Sequence, residues 1–422
     1  MKVLVIGQGG REHALVHALS QSPSVSEIHA VPGSAGMSRQ AICHDIPLFE
    51  ADQSSSSLIQ FCLRTGIDFV VIGPEDPLVQ GLADRLRDRG ILTVGPSAES
   101  AQLEGSKIFA KQFLAEAKAP TSHFEIVESL EQVRSAAPRF SAPYVLKADG
   151  LAAGKGVFIC QTLQELEAAA HDLFIGKILG SVGERALLEQ FMPGWELSYL
   201  IFTNGHEWQT LPLAQDHKRL LDGDLGPNTG GMGTVAPMKI EASLREQIEE
   251  KIVRPTVQLL HDKNYVYRGV LFIGVMVTQS GPQVLEFNCR FGDPETQVIL
   301  PLIDGDLGLI LKSLSQGKIQ KLKEKNLHSS CVVLASPGYP LHPEKNLKIE
   351  GDLNSETESS YFLHAGTIKD SNGQWLTQGG RVMNSVGLGS TSQESIEKAY
   401  QLAEKVHWMG LQMRRDIGSS QN

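Results

Sequence analysis

The chain has 422 residues, 41% of them hydrophobic and 20% charged, with a formal net charge of −10. This is the composition of a soluble globular protein with room for about two to four domains, and the acidic balance argues against a nucleic acid or an anionic membrane as partner. No apolar run approaches the ~18 residues of a membrane span, and five scattered cysteines (Cys43, Cys62, Cys160, Cys289, Cys331) with no Cys-x-x-Cys argue against a disulfide framework or structural zinc, so a cytoplasmic location is expected.

Residues 2–6 read as a buried parallel strand, broken by Gly7-Gln8-Gly9-Gly10 and followed by a helix from Arg11 to Ser20. Phe69–Ile72 ends in Gly73-Pro74-Glu75, and Ile91–Val94 ends in Gly95-Pro96-Ser97. Strand, glycine turn and helix in repetition predict an α/β fold, with a doubly wound N-terminal domain over 1–103. A helix over 104–118 leads to the boundary signal Ala119-Pro120-Thr121. Tyr144–Ala148 and Val157–Cys160 predict a hairpin joined by a long glycine-rich loop. Thr162-x-x-Glu165 then caps a helix carrying Leu163, Leu166, Ala170 and Leu173 on one face, and Leu187–Phe191 adds a strand. Together these make a small α+β lobe over 123–192. Leu197–Phe202, Gly269–Val277 and Gln283–Cys289 read as strands of a larger body formed by 104–122 and 193–327, with a helix over 241–262. The last domain, 328–422, holds strand Cys331–Leu334, a β-rich stretch over 361–384, and a helix capped by Thr391 with Ile396, Ala399, Tyr400, Ala403 and Val406 on one face.

The most telling stretch is Val284 to Glu295. It alternates like a strand, with Leu285, Phe287 and Cys289 on one face and Glu286 and Asn288 on the other. A carboxylate and an amide oxygen together are hard ligands of the type Mg²⁺ takes, and Arg290 follows with a fork suited to carboxylate or phosphate. A half-buried strand with a wet outer face would show the same alternation, but Asn is depleted inside strands and a Gly-Asp-Pro turn after an Arg is unusual for a merely solvated edge.

Three other segments carry chemistry. The Gly7–His13 turn sits between strand and helix as a dinucleotide fingerprint would, but Glu12 stands where the third glycine belongs and no acidic residue ends the second strand. The turn can still present backbone N–H groups to a phosphate or carboxylate, or be a tight βα turn with nothing bound. The loop from Asp149 to Gly156 offers unhindered N–H donors and Lys155. It lacks the Walker pattern, and Lys147 just before it, at the end of an apolar strand, needs an anion. Gln215-Asp216-His217-Lys218-Arg219 and the glycine loop Gly226–Gly233 read as a substrate cradle with no regular structure of its own in the second segment. A lone His such as His217 is more often a hydrogen-bonded scaffold residue than a general base.

Taken in order, these motifs resemble the glycinamide ribonucleotide synthetase (phosphoribosylamine–glycine ligase) family of ATP-grasp enzymes. The resemblance extends through Gly73-Pro74-Glu75, Leu103-Glu104-Gly105-Ser106-Lys107, Glu286–Gln297 and His364-Ala365-Gly366-Thr367, and so covers almost the whole chain. It implies an N-terminal α/β domain, an ATP-grasp body with an inserted small lobe, and a C-terminal β-rich α+β domain. It implies ATP-dependent ligation of glycine to 5-phosphoribosylamine in purine biosynthesis by a monomer; the alternative is another ATP-grasp carboxylate–amine ligase. By the same resemblance Lys107 and Lys147 touch the ATP phosphates, and Gly150, Gly154, Lys155 and Gly156 close over them. Glu189 and Phe191 meet the adenine, Glu196 the ribose, and Glu286 and Asn288 hold Mg²⁺ or Mn²⁺. Gly9, Gly10, Arg11, Glu12, His13, Glu75, Asp216, His217, Lys218, Arg219, Asn228, Thr229, Gly230, Gly231 and Arg290 line the glycine and phosphoribosylamine sites. The expected catalytic set is Lys147, Arg290, Asp216 and His217. Gln8, Ser34, Gln190 and Trp195 depart from the usual family pattern, with Gln8 and Ser34 bearing on the fit of the phosphoribosylamine.

Overall fold

The structure is a computed structural model, and it describes residues 1–52, 54–152 and 155–419. Its first layer is a five-stranded parallel sheet in which Lys2–Gly7 lies at the centre. Glu27–Pro32 and Ile42–Cys43 follow on one side, and Phe69–Ile72 and Thr93–Val94 on the other. Helices cover both faces, which is why these strands read as unbroken apolar runs; Val3 to Ile6 and Phe69 to Val71 are fully buried. The strand order reverses at Lys2–Gly7, and a ligand crevice belongs at such a switch point, beyond the carboxyl ends of the strands. Only Thr93 and Val94 of the run from Ile91 pair into the sheet.

An antiparallel four-stranded sheet follows, ordered Phe124–Val127, Ala186–Gln190, Tyr144–Ala148, Val157–Cys160. Thr162 caps helix Leu163–Phe174 as expected, its side chain accepting the Glu165 N–H at 3.1 Å. Leu166, Ala170 and Leu173 pack inward, whereas Leu163, one residue past the cap, stays 46% exposed. The predicted helix over 104–118 is two helices, Ala98–Gly105 and Lys107–Ala117. Ser106 divides them: its hydroxyl caps the second helix by accepting the Phe109 N–H at 3.0 Å and donates to Asp149 at 2.8 Å. The break places Lys107 in the first turn, facing the glycine-rich loop.

The third sheet is antiparallel, ordered Trp208–Thr210, Trp195–Thr203, Gly269–Thr278, Gly281–Asn288. Its last strand departs from simple alternation. Gly274 pairs with Glu286 but Val275 pairs with Val284, so Leu285 is the extra residue of a bulge. Val284, Phe287 and Cys289 therefore form the buried face, and Leu285 is only half-buried. The helix expected over 241–262 is continuous in direction but widens into a π-turn at Glu249–Val253, between Ala242–Ile248 and Arg254–Asp262. Pro255 has no N–H to give the carbonyl four residues back, which loosens the ladder there.

The last sheet is antiparallel and non-local, ordered Gln215–Asp216, Gly233–Ala236, His328–Ala335, Arg381–Gly389, Ser360–His364. Its first two strands flank the glycine loop, and that loop is not structureless as expected: Arg219–Leu221 and Leu225–Asn228 pair as a small hairpin. Helix Ser392–Ala403 covers the sheet through Ser395, Ala399, Leu402 and Ala403. It ends before Val406, which instead pairs in a short strand with Gly351. One apolar core runs through Val5 and Leu15, Phe202 and Phe272, Val298, and Val333 and Tyr361, so the first, third and last sheets close around a common interior.

Candidate functional site

The crevice begins at the first turn. Gly7 has φ +123, in a region L side chains rarely adopt, and ends the central strand. Glu12 occupies the space a Cβ would need at both Gly7 and Gly73. It is 3% exposed; its carboxylate accepts the Gly9 N–H at 2.7 Å and pairs with Arg11 Nε at 2.5 Å. The acid that displaces the third glycine of a dinucleotide fingerprint is thus a turn-closing group rather than the substrate contact expected of it. His13 is turned inward as well. It is buried, its Nδ1 accepts the His364 N–H at 2.8 Å, and burial holds its pKa well below the usual histidine range. A Cβ on Gly10 would overlap the Asn384 side chain, so Gly10 packs against the last sheet. Gly9 and Arg11 remain beside the crevice, Arg11 reaching Glu75 at 3.8 Å and the Phe291 carbonyl at 3.3 Å. Gly73→Ala is expected to cost about 2 kcal/mol by overpacking against the pinned Glu12 carboxylate. Urea unfolding checks this, and an unchanged midpoint would show that Glu12 is free to move.

Arg290 lies opposite that turn. Its guanidinium meets Glu104 at 3.0 Å and Glu75 at 3.3 Å, and donates to Asn288 Oδ1 at 3.0 Å and to the Phe291 carbonyl at 3.2 Å. Burial works against its charge, and Glu104 and Glu75 outweigh burial. Glu104 also accepts the Cys289 N–H at 2.7 Å, and burial raises its pKa. Arg290, Glu75 and Arg11 therefore form a continuous charged wall across the switch point.

A second group of charges lies where the small sheet faces the third. Lys107 Nζ donates to the Gly150 carbonyl at 2.9 Å, and burial lowers its pKa. Lys147, at the end of its strand, pairs with Glu189 at 3.2 Å and leans toward the Leu285 carbonyl at 3.5 Å. Glu189 is also held by Lys111 at 2.9 Å and by the Ser122 hydroxyl at 2.7 Å. Burial raises the Glu189 pKa, but Lys147 and Lys111 bring it below the usual value. Its carboxylate is therefore committed to two lysines and is not open to an adenine; what remains available is the backbone running to Phe191. Gly150 has φ +138, Gly156 is buried against Ala148, and Lys155 is exposed. Gly154 lies outside the described residues.

Glu286 projects from its strand into the space between these groups and is exposed there. The enclosing cleft walls raise its pKa although its side chain is open to solvent, but Lys218, Lys147 and Lys107 together outweigh this, and the carboxylate is held below its usual value. Among the described residues no three His, Cys, Asp or Glu side chains are grouped to hold a metal ion. A Mg²⁺-type cation would have Glu286 and Asn288 from the protein, with its other oxygens from nucleotide phosphates and water, which is the way Mg²⁺ is usually bound. Asn288 presents its Oδ1 to Arg290 and its amide to Glu286. Arg290 can only donate, which fixes the oxygen on its side here, so ligation would require the Asn288 side chain to turn that oxygen from Arg290 toward Glu286.

The cradle segments close the floor. Asp216 accepts the His217 N–H at 2.8 Å and pairs with Lys218 at 2.9 Å. A Cβ on Gly231 would strike the Asp216 carboxylate, so the loop lies directly on it. His217 is buried with both ring nitrogens engaged, Nδ1 with the Gly233 carbonyl at 3.1 Å and Nε2 with the Gly418 N–H at 3.3 Å. Burial lowers its pKa. Asp216 and His217 thus brace the loop. Lys218 lies between Asp216 and Glu196, 3.9 Å from the latter. Burial opposes its charge, yet the surrounding acids hold its pKa well above normal. Burial pushes Glu196 up to about 7, against the pull of Lys218. Thr229 donates to the Lys218 carbonyl, Arg219 donates to the Gly226 carbonyl, and Asn228 is exposed. Gly230 donates to the Tyr339 hydroxyl at 2.9 Å.

Several contributors escaped sequence reading. Lys111 is 3% exposed and donates to Thr121 and Ser122 besides pairing with Glu189. One turn after Lys107 on a helix, it looks like a surface residue. Arg381, from the last sheet, grips Asp293 at 3.1 Å and the Gly230 carbonyl at 2.6 Å, so it ties the Gly-Asp-Pro turn to the glycine loop. Glu295 accepts the Ser198 hydroxyl at 2.9 Å. The clue for Glu295 was its place in the Asp-Pro-Glu turn; nothing local marks Arg381.

Against known families, residues 1–104, 105–296 and 329–420 match the N domain, the ATP-grasp (A) domain and the C domain of phosphoribosylglycinamide synthetase. The chain is 41% identical over 423 residues to a phosphoribosylamine–glycine ligase of Caldanaerobacter subterraneus subsp. tengcongensis, covering 99% of this chain and 100% of that one. It is 40% identical over 422 residues to the one from Escherichia coli K12, covering 99% and 98%. The crystal structure of the Thermotoga maritima phosphoribosylamine–glycine ligase superposes with a TM-score of 0.86 at 36% identity, over 99% of this chain and 100% of that one. The biotin carboxylase domain of Hydrogenobacter thermophilus 2-oxoglutarate carboxylase shares the fold, with a TM-score of 0.75 at 16% identity over 98% and 91%.

Proposed function

The chain belongs to the phosphoribosylglycinamide synthetase family, and from that premise we propose how its crevice ligates glycine to 5-phosphoribosylamine in purine biosynthesis. The observation that carries the reading is the convergence of Lys107, Lys147 and Lys218 on Glu286, beside the Arg11–Glu75–Arg290 wall. A triphosphate fits the lysine side, and two smaller anionic substrates fit the wall and the glycine loop.

A carboxylate is a poor electrophile, so glycine is first converted by ATP into glycyl phosphate, and the phosphoribosylamine nitrogen then attacks its acyl carbon, releasing phosphate and leaving glycinamide ribonucleotide. Lys147 and Lys107 stabilise charge that develops on the transferring phosphoryl oxygens, and Lys107 does so by leaving the Gly150 carbonyl. Arg290 orients a carboxylate or phosphate against Glu75 and Glu104. Glu286 and Asn288 would hold Mg²⁺ or Mn²⁺, which supplies Lewis-acid charge neutralisation when bound. Gly150 and Gly156 let the loop fold over the phosphates and exclude water, which would otherwise hydrolyse the acyl phosphate. No protein nucleophile is required.

The same proposal divides the chain at 1–103, 104–122 with 193–327, 123–192 and 328–422, and takes it as a cytoplasmic monomer acting on ATP and small molecules only. No helix among the described residues is long and apolar enough to cross a membrane, and all five cysteines are free, which suits a reducing compartment.

The test is ADP release with ATP, Mg²⁺, glycine and phosphoribosylamine generated in situ, omitting one component at a time. Release is expected to require both glycine and phosphoribosylamine. ADP formed without either, or only with another carboxylate, would overturn the substrate assignment.

A further inference from the structure

The hairpin Arg219–Leu221/Leu225–Asn228 connects Lys218 to the glycine loop, yet no core holds it. Of its three leucines Leu221 and Leu225 are 51% and 64% exposed and Leu220 is half-buried, and a two-stranded ribbon of this size is marginal by itself. What it rests on is the end of the chain. Arg414 is the largest fully buried side chain described, at 0% exposure. Its guanidinium binds Asp416 through two bonds of 2.7 Å, reaches Asp224 at the hairpin tip at 2.6 Å and donates to the Arg219 carbonyl at 3.2 Å. Asp416 in turn accepts the Gly223 N–H at 2.8 Å, and Asp222 accepts the Arg415 N–H at 2.7 Å. Gly418 completes the set at His217.

A buried guanidinium is retained only where its whole fork is satisfied. Here every guanidinium partner outside its own segment belongs to the hairpin, while the segment's backbone is tied to helix Ser392–Ala403 by Tyr400, whose hydroxyl donates to the Arg414 carbonyl and accepts the Ile417 N–H. We propose that Arg414 and Asp416 are positioning residues that set the hairpin's location, and through Arg219 and Asn228 set the affinity for phosphoribosylamine without touching the nucleotide. The clamp's bonds fall on the hairpin and on neither Lys107 nor Lys147, so it bears on binding of the phosphorylated amine more than on binding of ATP. This rests on the substrate reading given above.

Arg414→Lys keeps the charge and loses the fork. Asp224→Asn removes one anchor from a side chain 66% exposed at the tip, where Asn tolerates the residue's φ of +54 and leaves the interior filled. Each is measured for KM of ATP and of phosphoribosylamine, for kcat, for calorimetric binding of glycinamide ribonucleotide, and for thermal midpoint. With Arg414→Lys, the phosphoribosylamine KM and the product Kd are expected to rise about tenfold, the effect of one charge-assisted hydrogen bond, with the ATP KM and kcat within about twofold. Asp224→Asn is expected to shift the same two quantities in the same direction by about threefold, with an unchanged midpoint. Unchanged phosphoribosylamine KM in both variants, or equal rises for ATP and phosphoribosylamine, overturns the clamp. Wild-type ADP release independent of phosphoribosylamine overturns the substrate reading instead, so the two failures are distinguishable.

Discussion

Glu286→Gln is expected to lower kcat by about 10²–10³-fold, the usual effect of removing one pre-placed group that stabilises transition-state charge, while the fold survives. The fold survives because Glu286 is exposed at the end of its strand and Gln keeps its volume. The activity falls because the carboxylate faces Lys107, Lys147 and Lys218 together, and in the proposed reading it would hold a divalent cation with Asn288. A readout independent of turnover is Mn²⁺ binding by electron paramagnetic resonance in the presence of ADP, which should weaken in the variant. Near-wild-type turnover together with unchanged Mn²⁺ binding would remove Glu286 from the metal site.

Lys147→Met and Lys111→Met are expected to divide one buried cluster into its chemical and its structural halves. Both lysines pair with Glu189, Lys147 at 3.2 Å and Lys111 at 2.9 Å. Removing one partner of a buried ion pair costs about 3 kcal/mol where nothing replaces it. In Lys147→Met the carboxylate keeps Lys111 and Ser122, so the loss of stability is smaller, but turnover falls about 10²–10³-fold with the loss of a phosphate-facing cation. In Lys111→Met the balance reverses, because Lys111 also anchors Thr121 and Ser122 and burial already draws its pKa to about 8. Chemical denaturation and steady-state kinetics on the two proteins decide the matter. Matching losses in both would show that the pair acts as a single unit and that the division is wrong.

The parts of this molecule readable from its residues are those governed by local rules. Apolar runs ending in glycine located the parallel strands, because a strand buried on both faces tolerates only apolar residues. Thr162 and Thr391 marked helix starts because a hydroxyl there satisfies a free N–H. The glycine loops and Lys147 stood out because phosphates favour bare backbone and cations, and Glu286 because a divalent cation favours a carboxylate. Other features depend on partners far away in sequence. The inward turn of Glu12 requires Gly73, more than sixty positions on, and the bulge at Leu285 is set by its pairing with Gly274 and Val275. Asp216 and His217 look reactive side by side, and only the loop from Gly231 to Gly233 and the chain end at Gly418 show them as braces. Lys111 and Arg381 had no local mark at all.

The last sheet borrows Gln215–Asp216 and Gly233–Ala236 from the middle of the chain, the second of them hydrogen-bonded directly to His328–Ala335. A chimaera that exchanges the terminal segment between two relatives by cutting near residue 328 would therefore seat foreign strands against a native neighbour, and would place a foreign tail under a native hairpin. Such recombinants should keep the last sheet whole only when the cradle from Gln215 to Ala236 is exchanged together with the terminus. Inheritance then follows the hydrogen-bonded sheet, not the order in which the ribosome meets the domains.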